Sequence, residues 1–129
     1  MSENNKISTL LTEFLEYCEI EKNHSQKTIQ NYDHYLRRFL AWAEISKPEQ
    51  ITLDLVRKYR LHLNRFKDER GNTLKKITQS YHIIAIRAFL KYLAKRDIKT
   101  LASEKIELPK IPERSVDFLE ESELTKLLE

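Results

Sequence analysis

The sequence is poor in the residues that build tight turns, disulfides and membrane spans. It contains 1 glycine, 3 prolines and 1 cysteine in 129 residues. Because glycine is the usual residue of hairpin turns and phosphate-binding loops, its scarcity argues against hairpin-rich β-folds and Gly-rich nucleotide sites. The lone Cys18 excludes an internal disulfide and fits a reducing compartment. No apolar run approaches the ~20 residues of a transmembrane helix, so we expect a soluble, cytoplasmic chain.

The charged residues, 33% of the chain, are unevenly distributed along it. The formal net charge of +3 divides into −3 over residues 1–24, +10 over residues 25–99 and −4 over residues 100–129. A basic central block between acidic ends indicates a polyanionic partner such as nucleic acid. A solvated helical surface would carry the same excess of lysine and arginine, so charge alone leaves both interpretations open.

Apolar residues at helical spacing predict four amphipathic helices. Ile7 begins the first stripe, Asn5 is its predicted cap and Asn23 its predicted stop. The predicted caps of the second, third and fourth helices are Ser25, Thr52 and Thr78. The fourth helix is expected to be the most buried, because apolar residues widen its inner face. We therefore predict an all-α fold, a compact bundle of four to five helices.

The chain divides into three predicted parts. Residues 1–97 are the helical domain, and residues 98–117, which are aperiodic and contain Pro109 and Pro112, form an extended interdomain linker. Residues 118–129 begin another amphipathic helix, which predicts the truncated start of a further domain.

The sequence offers no convincing catalytic or metal-binding constellation. Its 4 histidines form no His-Glu-x-x-His pair, and 1 cysteine cannot build a zinc finger. Cys18 lies on the apolar stripe of the first helix, where a buried structural thiol is expected. We predict a chain that is not itself an enzyme and needs no cofactor or metal.

Two helix starts carry the candidate binding residues. Free backbone N–H groups and the positive end of the helix dipole suit a phosphate, and short polar side chains beside them can reach phosphates or base edges. The candidates are Ser25, Gln26, Lys27, Thr28, Asn31 and Arg38 on the second helix, and Lys75, Lys76, Thr78, Gln79, His82, Arg87 and Lys91 around the fourth.

Each candidate has a structural alternative. Ser25 and Thr78 can serve only as caps, Lys91 can be solvated, and His82 can be a core histidine. A third-helix stripe, from Arg57 to Lys67, is interpreted as an exposed face and is not assigned to binding.

Five short motifs occur in a characteristic order. They are Ser25-x-x-Thr28 followed by Tyr32, Leu36-x-x-Phe39, Ala85-x-Arg87-x-Phe89, Leu108-Pro109-Lys110, and Leu119-x-x-x-Glu123-Leu124-x-x-Leu127-Leu128. The chain thereby resembles the N-terminal core-binding, SAM-like domain of tyrosine site-specific recombinases, the phage-integrase and Xer group.

The resemblance implies a function in DNA recombination or integration. The full protein would cut and rejoin DNA through a tyrosine nucleophile in a C-terminal domain. This part would bind double-stranded DNA at a recombination core site, with the second and fourth helices facing the major groove and the linker crossing the duplex. Neighbouring recombinase protomers would make contact partly through the first helix, and the isolated domain would be monomeric.

A competing hypothesis is a helical protein–protein interaction module with a basic face. Such a module needs an exposed apolar patch. The first helix, with Leu10, Leu11, Phe14 and Leu15, is the candidate for that patch.

Overall fold

Residues 6–108 form a bundle of four α-helices. A computed structural model describes residues 6–108. Its helices are α1 (Ile7–Ile20), α2 (Gln26–Ala43), α3 (Leu53–Arg65) and α4 (Lys76–Lys95), with short 3-10 turns at Pro48–Gln50 and Ser103–Lys105. Because the described residues contain no β-strand, the predicted all-α fold is confirmed. The predicted cap Asn5 and residues 109–129, including the predicted start of a further domain, lie outside the described residues.

Local sequence signals set most helix boundaries. The Ser25 hydroxyl accepts a hydrogen bond from the Thr28 N–H at 3.1 Å, and Thr52 accepts one from the Leu55 N–H at 3.1 Å. Both side chains therefore satisfy a backbone donor of the first helical turn, as predicted. Asn23, the predicted stop after α1, has a φ of 53°, in the left-handed region that asparagine tolerates.

The start of α4 differs from the prediction. The helix begins at Lys76, the cap position is Lys75, and no side chain caps it. Thr78 is thus the third residue of the helix, and its assignment as a cap is wrong. The Gln79 side chain donates instead to the Leu74 carbonyl at 3.0 Å, which ties the first turn to the preceding loop.

The single glycine occupies the loop between α3 and α4. Gly71 has a φ of +81°, which an L-residue with a side chain rarely adopts. The carboxylate of Asp68 accepts hydrogen bonds from the Arg70 N–H at 2.8 Å and the Asn72 N–H at 2.9 Å. These contacts fix the loop that leads into Lys75 and Lys76.

Helix α4 is the centre of the core and packs against the other three helices and the Ser103–Lys105 turn. Nine of its residues are buried, which confirms the expectation that it is the most buried helix. Phe14 of α1 lies with its ring centroid 5.5 Å from Phe89 and Tyr92 of α4 and 5.8 Å from Tyr32 of α2. This aromatic cluster joins three helices.

Part of the predicted linker belongs to the folded unit. Ile106 is 2% exposed, Thr100 donates to the Pro48 carbonyl at 2.7 Å, and Arg87 donates to the Ser103 carbonyl at 3.3 Å. Residues 98–106 therefore pack on the bundle instead of leaving it at residue 98. Their anchors are single residues without periodicity, so the sequence pattern does not predict them. Among the described residues, none of the helices has the length and apolar character of a membrane span.

Candidate nucleic-acid interface

The start of α2 presents three of its four predicted binding residues to solvent. Ser25, Gln26 and Lys27 are exposed. Thr28 is only 3% exposed, and its hydroxyl oxygen accepts a hydrogen bond from Ser25 at 3.0 Å. Burial therefore removes Thr28 from the accessible candidates. Asn31, one turn further along, is half-buried.

A second group lies where α2 packs against α4, and we call it the α2–α4 seam: Tyr35, Arg38, Thr78 and His82. An Arg38 Nη1 donates to His82 Nε2 at 3.3 Å, and His82 Nδ1 lies 2.8 Å from the Thr78 carbonyl oxygen. The Tyr35 and His82 rings are 4.3 Å apart. Because His82 is 1% exposed, it cannot contact DNA directly, and its side chain is instead the inner partner of the half-buried Arg38.

The surroundings of His82 disfavour its charged form. Burial lowers the pKa of His82 below its ordinary 6.5, and the electrostatic effects of Arg38 and His34 lower it further. The hydrogen bond to the Thr78 carbonyl acts in the opposite direction but is outweighed. The imidazole is therefore neutral at physiological pH.

The third group lines a concave surface, the α3–α4 groove, which has a volume of about 1080 Å³. Its apolar floor includes Val56, Leu63, Ile83 and Ile106. Its polar rim consists of Arg57, Arg60, Asn64, Lys75, Lys76, Gln79, Lys105 and Glu107. The structure thus brings the predicted residues Lys75, Lys76 and Gln79 together with cations of α3.

Hydrogen bonds hold the rim of the groove. Lys76 Nζ donates to Asn64 Oδ1 at 2.8 Å, and an Arg60 Nη1 donates to the Glu107 carbonyl at 2.8 Å. The α3 stripe that was interpreted as an exposed face therefore forms one wall of the groove. Arg57, Arg60 and Asn64 share one side of α3 at a spacing of i, i+3, i+7, which was the available signal. The sequence does not show that α4 packs beside that stripe.

The remaining predicted residues of α4 do not join the groove lining. Arg87 is half-buried, and its guanidinium donates to the Ser103 carbonyl, so part of its hydrogen-bonding capacity is occupied within the fold. Lys91 is exposed.

The lysines and arginines of the α2 start, the seam and the groove form no ion pair within residues 6–108, although Lys105 and Arg87 interact electrostatically with the Glu104 carboxylate. The ion pairs found there join Arg37 to Asp33, Lys58 to Asp54, and Arg96 to Glu13. None of them involves Lys27, Arg38, the predicted lysines of α4 or the arginines of the groove. The positive charge of the seam and of the groove rim is therefore open to an external anion.

The part of the chain that the structure describes holds no group of three metal-ligating side chains. Cys18 is 1% exposed, and burial raises the pKa of its thiol to about 12. Since the thiolate is the reactive form, this cysteine is a core residue.

The fold and these groups define a small all-α domain with an unpaired cationic surface around its central helix. Residues 11–97 match the family described as phage integrase, N-terminal SAM-like domain. The chain therefore belongs to the phage-integrase N-terminal SAM-like domain family, and the resemblance noted in the sequence is confirmed.

Individual relatives agree with this family. The chain is 34% identical over 127 residues to tyrosine recombinase XerC of Bacillus licheniformis and 33% identical over 125 residues to tyrosine recombinase XerD of Pasteurella multocida. It is 32% identical over 117 residues to tyrosine recombinase XerC of Bacillus subtilis. These alignments cover 95%, 95% and 90% of this chain but 40%, 40% and 38% of the relatives. The chain thus spans about 40% of the length of the curated relatives it matches. No solved structure matches the chain significantly.

Proposed function

We propose that the protein binds double-stranded DNA at a recombination core site, as the N-terminal domain of a tyrosine recombinase. The observation that carries the proposal is the cationic rim of the α3–α4 groove and the neighbouring α2–α4 seam, whose lysines and arginines form no ion pair within residues 6–108. The relatives named tyrosine recombinase supply the biological setting.

Phosphate contacts would provide most of the binding energy. Lysine and arginine side chains that neutralise phosphates release counterions from the duplex, so affinity falls steeply as salt rises. At the start of α2, the backbone N–H groups of Gln26 and Lys27 have no intrahelical acceptor and complement an anion. The exposed side chains of Gln26, Lys27 and Lys91 lie outside the groove and would extend the contact along the DNA.

In this proposal the chain contributes binding, not bond breaking. Cutting and rejoining of strands would belong to a tyrosine nucleophile in another domain of the recombinase. Neighbouring protomers on the same recombination site would be the protein partners.

A titration with duplex DNA tests the proposal. At low salt, the backbone amide NMR signals of Gln26, Lys27 and the segment Lys75–Gln79 should shift, together with those of the groove wall on α3. Signals of Glu16 and Glu19, on the exposed acidic side of α1, should stay unchanged and serve as the internal control. If no signal at the starts of α2 and α4 moves, the proposed surface is wrong.

The competing hypothesis, a protein–protein interaction module, requires an exposed apolar patch, and the residues that can form it differ from the predicted ones. Leu10, Leu11 and Phe14 are 0%, 1% and 2% exposed and Leu15 is half-buried, so the four residues predicted as a patch on the first helix are not an exposed surface and that assignment is wrong. The exposed apolar residues that favour an interaction module are instead Leu53 and Leu61, which are 48% and 44% exposed and line the α3–α4 groove. Replacement of both leucines by serine should leave duplex affinity within about twofold if the cations bind DNA. A larger loss of affinity in a folded variant would favour an apolar contact.

A further inference from the structure

The contact between Arg38 and His82 does more than join two helices. We propose that His82 is a positioning residue whose neutral imidazole accepts a hydrogen bond from Arg38 and orients this guanidinium toward a phosphate of the bound duplex. This inference rests on the proposed DNA-binding function. It assigns different tasks to two predicted contact residues, because His82 acts only through Arg38.

The hydrogen-bond partners define the tautomer of His82. The Thr78 carbonyl can only accept, so the imidazole nitrogen 2.8 Å from it, Nδ1, carries the proton. A guanidinium can only donate, so the nitrogen 3.3 Å from Arg38, Nε2, carries the lone pair. A neutral histidine with its proton on Nδ1 satisfies both contacts. A protonated histidine would point an N–H at the guanidinium and break the contact with Arg38.

Arg38 is restrained on more than one side. Its guanidinium carbon lies 5.6 Å from the centroid of the Phe66 ring, within cation–π distance, while His82 holds one Nη1. No carboxylate of residues 6–108 forms an ion pair with it. A guanidinium has five N–H donors, so most of them remain for a ligand. Because its orientation is fixed before binding, less side-chain entropy is lost when a phosphate is bound.

The groups around His82 keep it in the accepting form. From α2 it faces Arg38, His34 and Tyr35, and from α3 it faces Tyr59, whose ring centroid lies 6.5 Å away. On α4 itself, His82 faces the Thr78 carbonyl. Tyr81, also on α4, lies close enough to Tyr35 to affect Tyr35 electrostatically. None of these groups is a carboxylate, and the Thr78 carbonyl, which favours the imidazolium ion, is outweighed by burial and by the electrostatic effects of Arg38 and His34.

A double-mutant cycle measured by duplex affinity tests the inference. Arg38→Ala should weaken binding about 10-fold, equivalent to about 1.4 kcal/mol. His82→Phe keeps a ring against Tyr35 but removes the acceptor, and it should weaken binding about 5-fold. In the Arg38→Ala background, His82→Phe should have no further effect.

Two controls separate positioning from a general structural effect. Arg37→Ala removes the same charge from an exposed arginine that is already paired with Asp33, and in this background His82→Phe should keep its full 5-fold effect. His82→Gln can place an amide oxygen near the position of Nε2, and it should recover affinity relative to His82→Phe. Thermal unfolding of each variant establishes that it is folded.

NMR of the unliganded protein provides a readout that does not depend on DNA. Imidazole nitrogen shifts should show His82 protonated on Nδ1 at neutral pH. The Nη signals of Arg38 should show hindered rotation in the wild type and averaging in His82→Phe.

The outcomes distinguish the inference from the proposed function. The positioning role is refuted if His82→Phe weakens duplex binding equally with and without Arg38, or if the His82 imidazole carries its proton on Nε2. Either result leaves the proposed duplex binding intact. If the wild-type protein does not bind duplex DNA at all, the proposed function fails, and a role in DNA contact fails with it.

Discussion

Removal of two groove lysines should change the salt dependence of duplex binding by a calculable amount. Lys75 and Lys76 are exposed, line the α3–α4 groove and have no carboxylate partner within residues 6–108. Each phosphate contact contributes ~0.9 to the slope of the logarithm of the binding constant against the logarithm of salt concentration. The variant Lys75→Gln/Lys76→Gln should therefore have a slope smaller by ~1.8. When the salt concentration rises from about 50 to about 200 mM, both proteins lose affinity, and the factor by which the variant loses it should be about 12 times smaller than the factor for the wild type.

Fluorescence anisotropy of a labelled duplex at several salt concentrations measures both slopes. The matched control is Lys22→Gln/Lys58→Gln, which removes the same charge from the end of α1 and from a lysine paired with Asp54. The control should keep the wild-type slope within ~0.5, since a charge that makes no phosphate contact adds only weak, screened attraction. Equal slopes for the two double variants would mean that net charge, and not the groove, governs binding. That result would refute the assignment of these lysines to phosphates.

Three further predictions concern the core and its titratable groups. Phe14→Ala removes a ring that packs against three others and should lower the free energy of unfolding by about 3–5 kcal/mol, measured by chemical denaturation; a loss below ~1 kcal/mol would contradict this packing. Cys18, whose pKa is raised to about 12, should react with a thiol reagent only after unfolding, and rapid labelling of the native protein would show that it is accessible. Because the pKa of His82 is lower in the folded than in the unfolded protein, the unfolded chain binds more protons just below pH 6.5, and stability should decrease as the pH falls through that range. His82→Gln should reduce this pH dependence of the unfolding free energy, and an unchanged pH profile would contradict the prediction.

Local patterns predicted the helices, because each signal acts within a few residues. Ser25 and Thr52 cap their own helices, and apolar spacing marks the buried side of each helix. Ile106 was missed for the opposite reason, since one buried residue in an irregular segment has no period. Its position becomes evident only when the Ser103–Lys105 turn is seen against α4.

The candidate site was only partly predictable, because it depends on which helix faces which. The residue types at the starts of α2 and α4 were identified from sequence, and burial confirms the alternative that His82 is a core histidine, but the burial of Thr28 was not predicted. Thr28 lies in a polar stretch where exposure is the ordinary expectation. The groove wall on α3 required the packing of α3 against α4, which no local pattern encodes.

The helix dipole gives an independent reason to assign the start of α4 to binding. Acidic residues stabilise a helix N-terminus and basic residues its C-terminus. Helix α3 follows this rule, with Asp54 in its first turn and Arg65 in its last, whereas α4 has Lys75 at its cap, Lys76 in its first turn and no acidic residue there. At the other end of α4, Arg96 is occupied by an ion pair with α1. Lys75 and Lys76 therefore lie without an ion-pair partner at the end of α4 where the helix dipole disfavours positive charge. A loss of stability of this kind in the unbound domain is expected at an anion-binding site.

This cost can be measured with one substitution. Lys75→Asp supplies a capping carboxylate at the N-terminus of α4, and it should stabilise the free domain by about 1 kcal/mol, or raise Tm by about 4–8 °C. The same variant should bind duplex DNA more weakly than Lys75→Gln, because a repulsive charge replaces a neutral side chain. Lys22→Asp, just after the end of α1, is the control: it should gain no stability, because a carboxylate is unfavourable at a helix C-terminus, and its duplex affinity should stay close to that of the wild type. A Lys75→Asp domain that gains no stability would show that the lysine imposes no strain on α4. Gained stability with undiminished affinity would mean that the helix start is not the place where the phosphate binds.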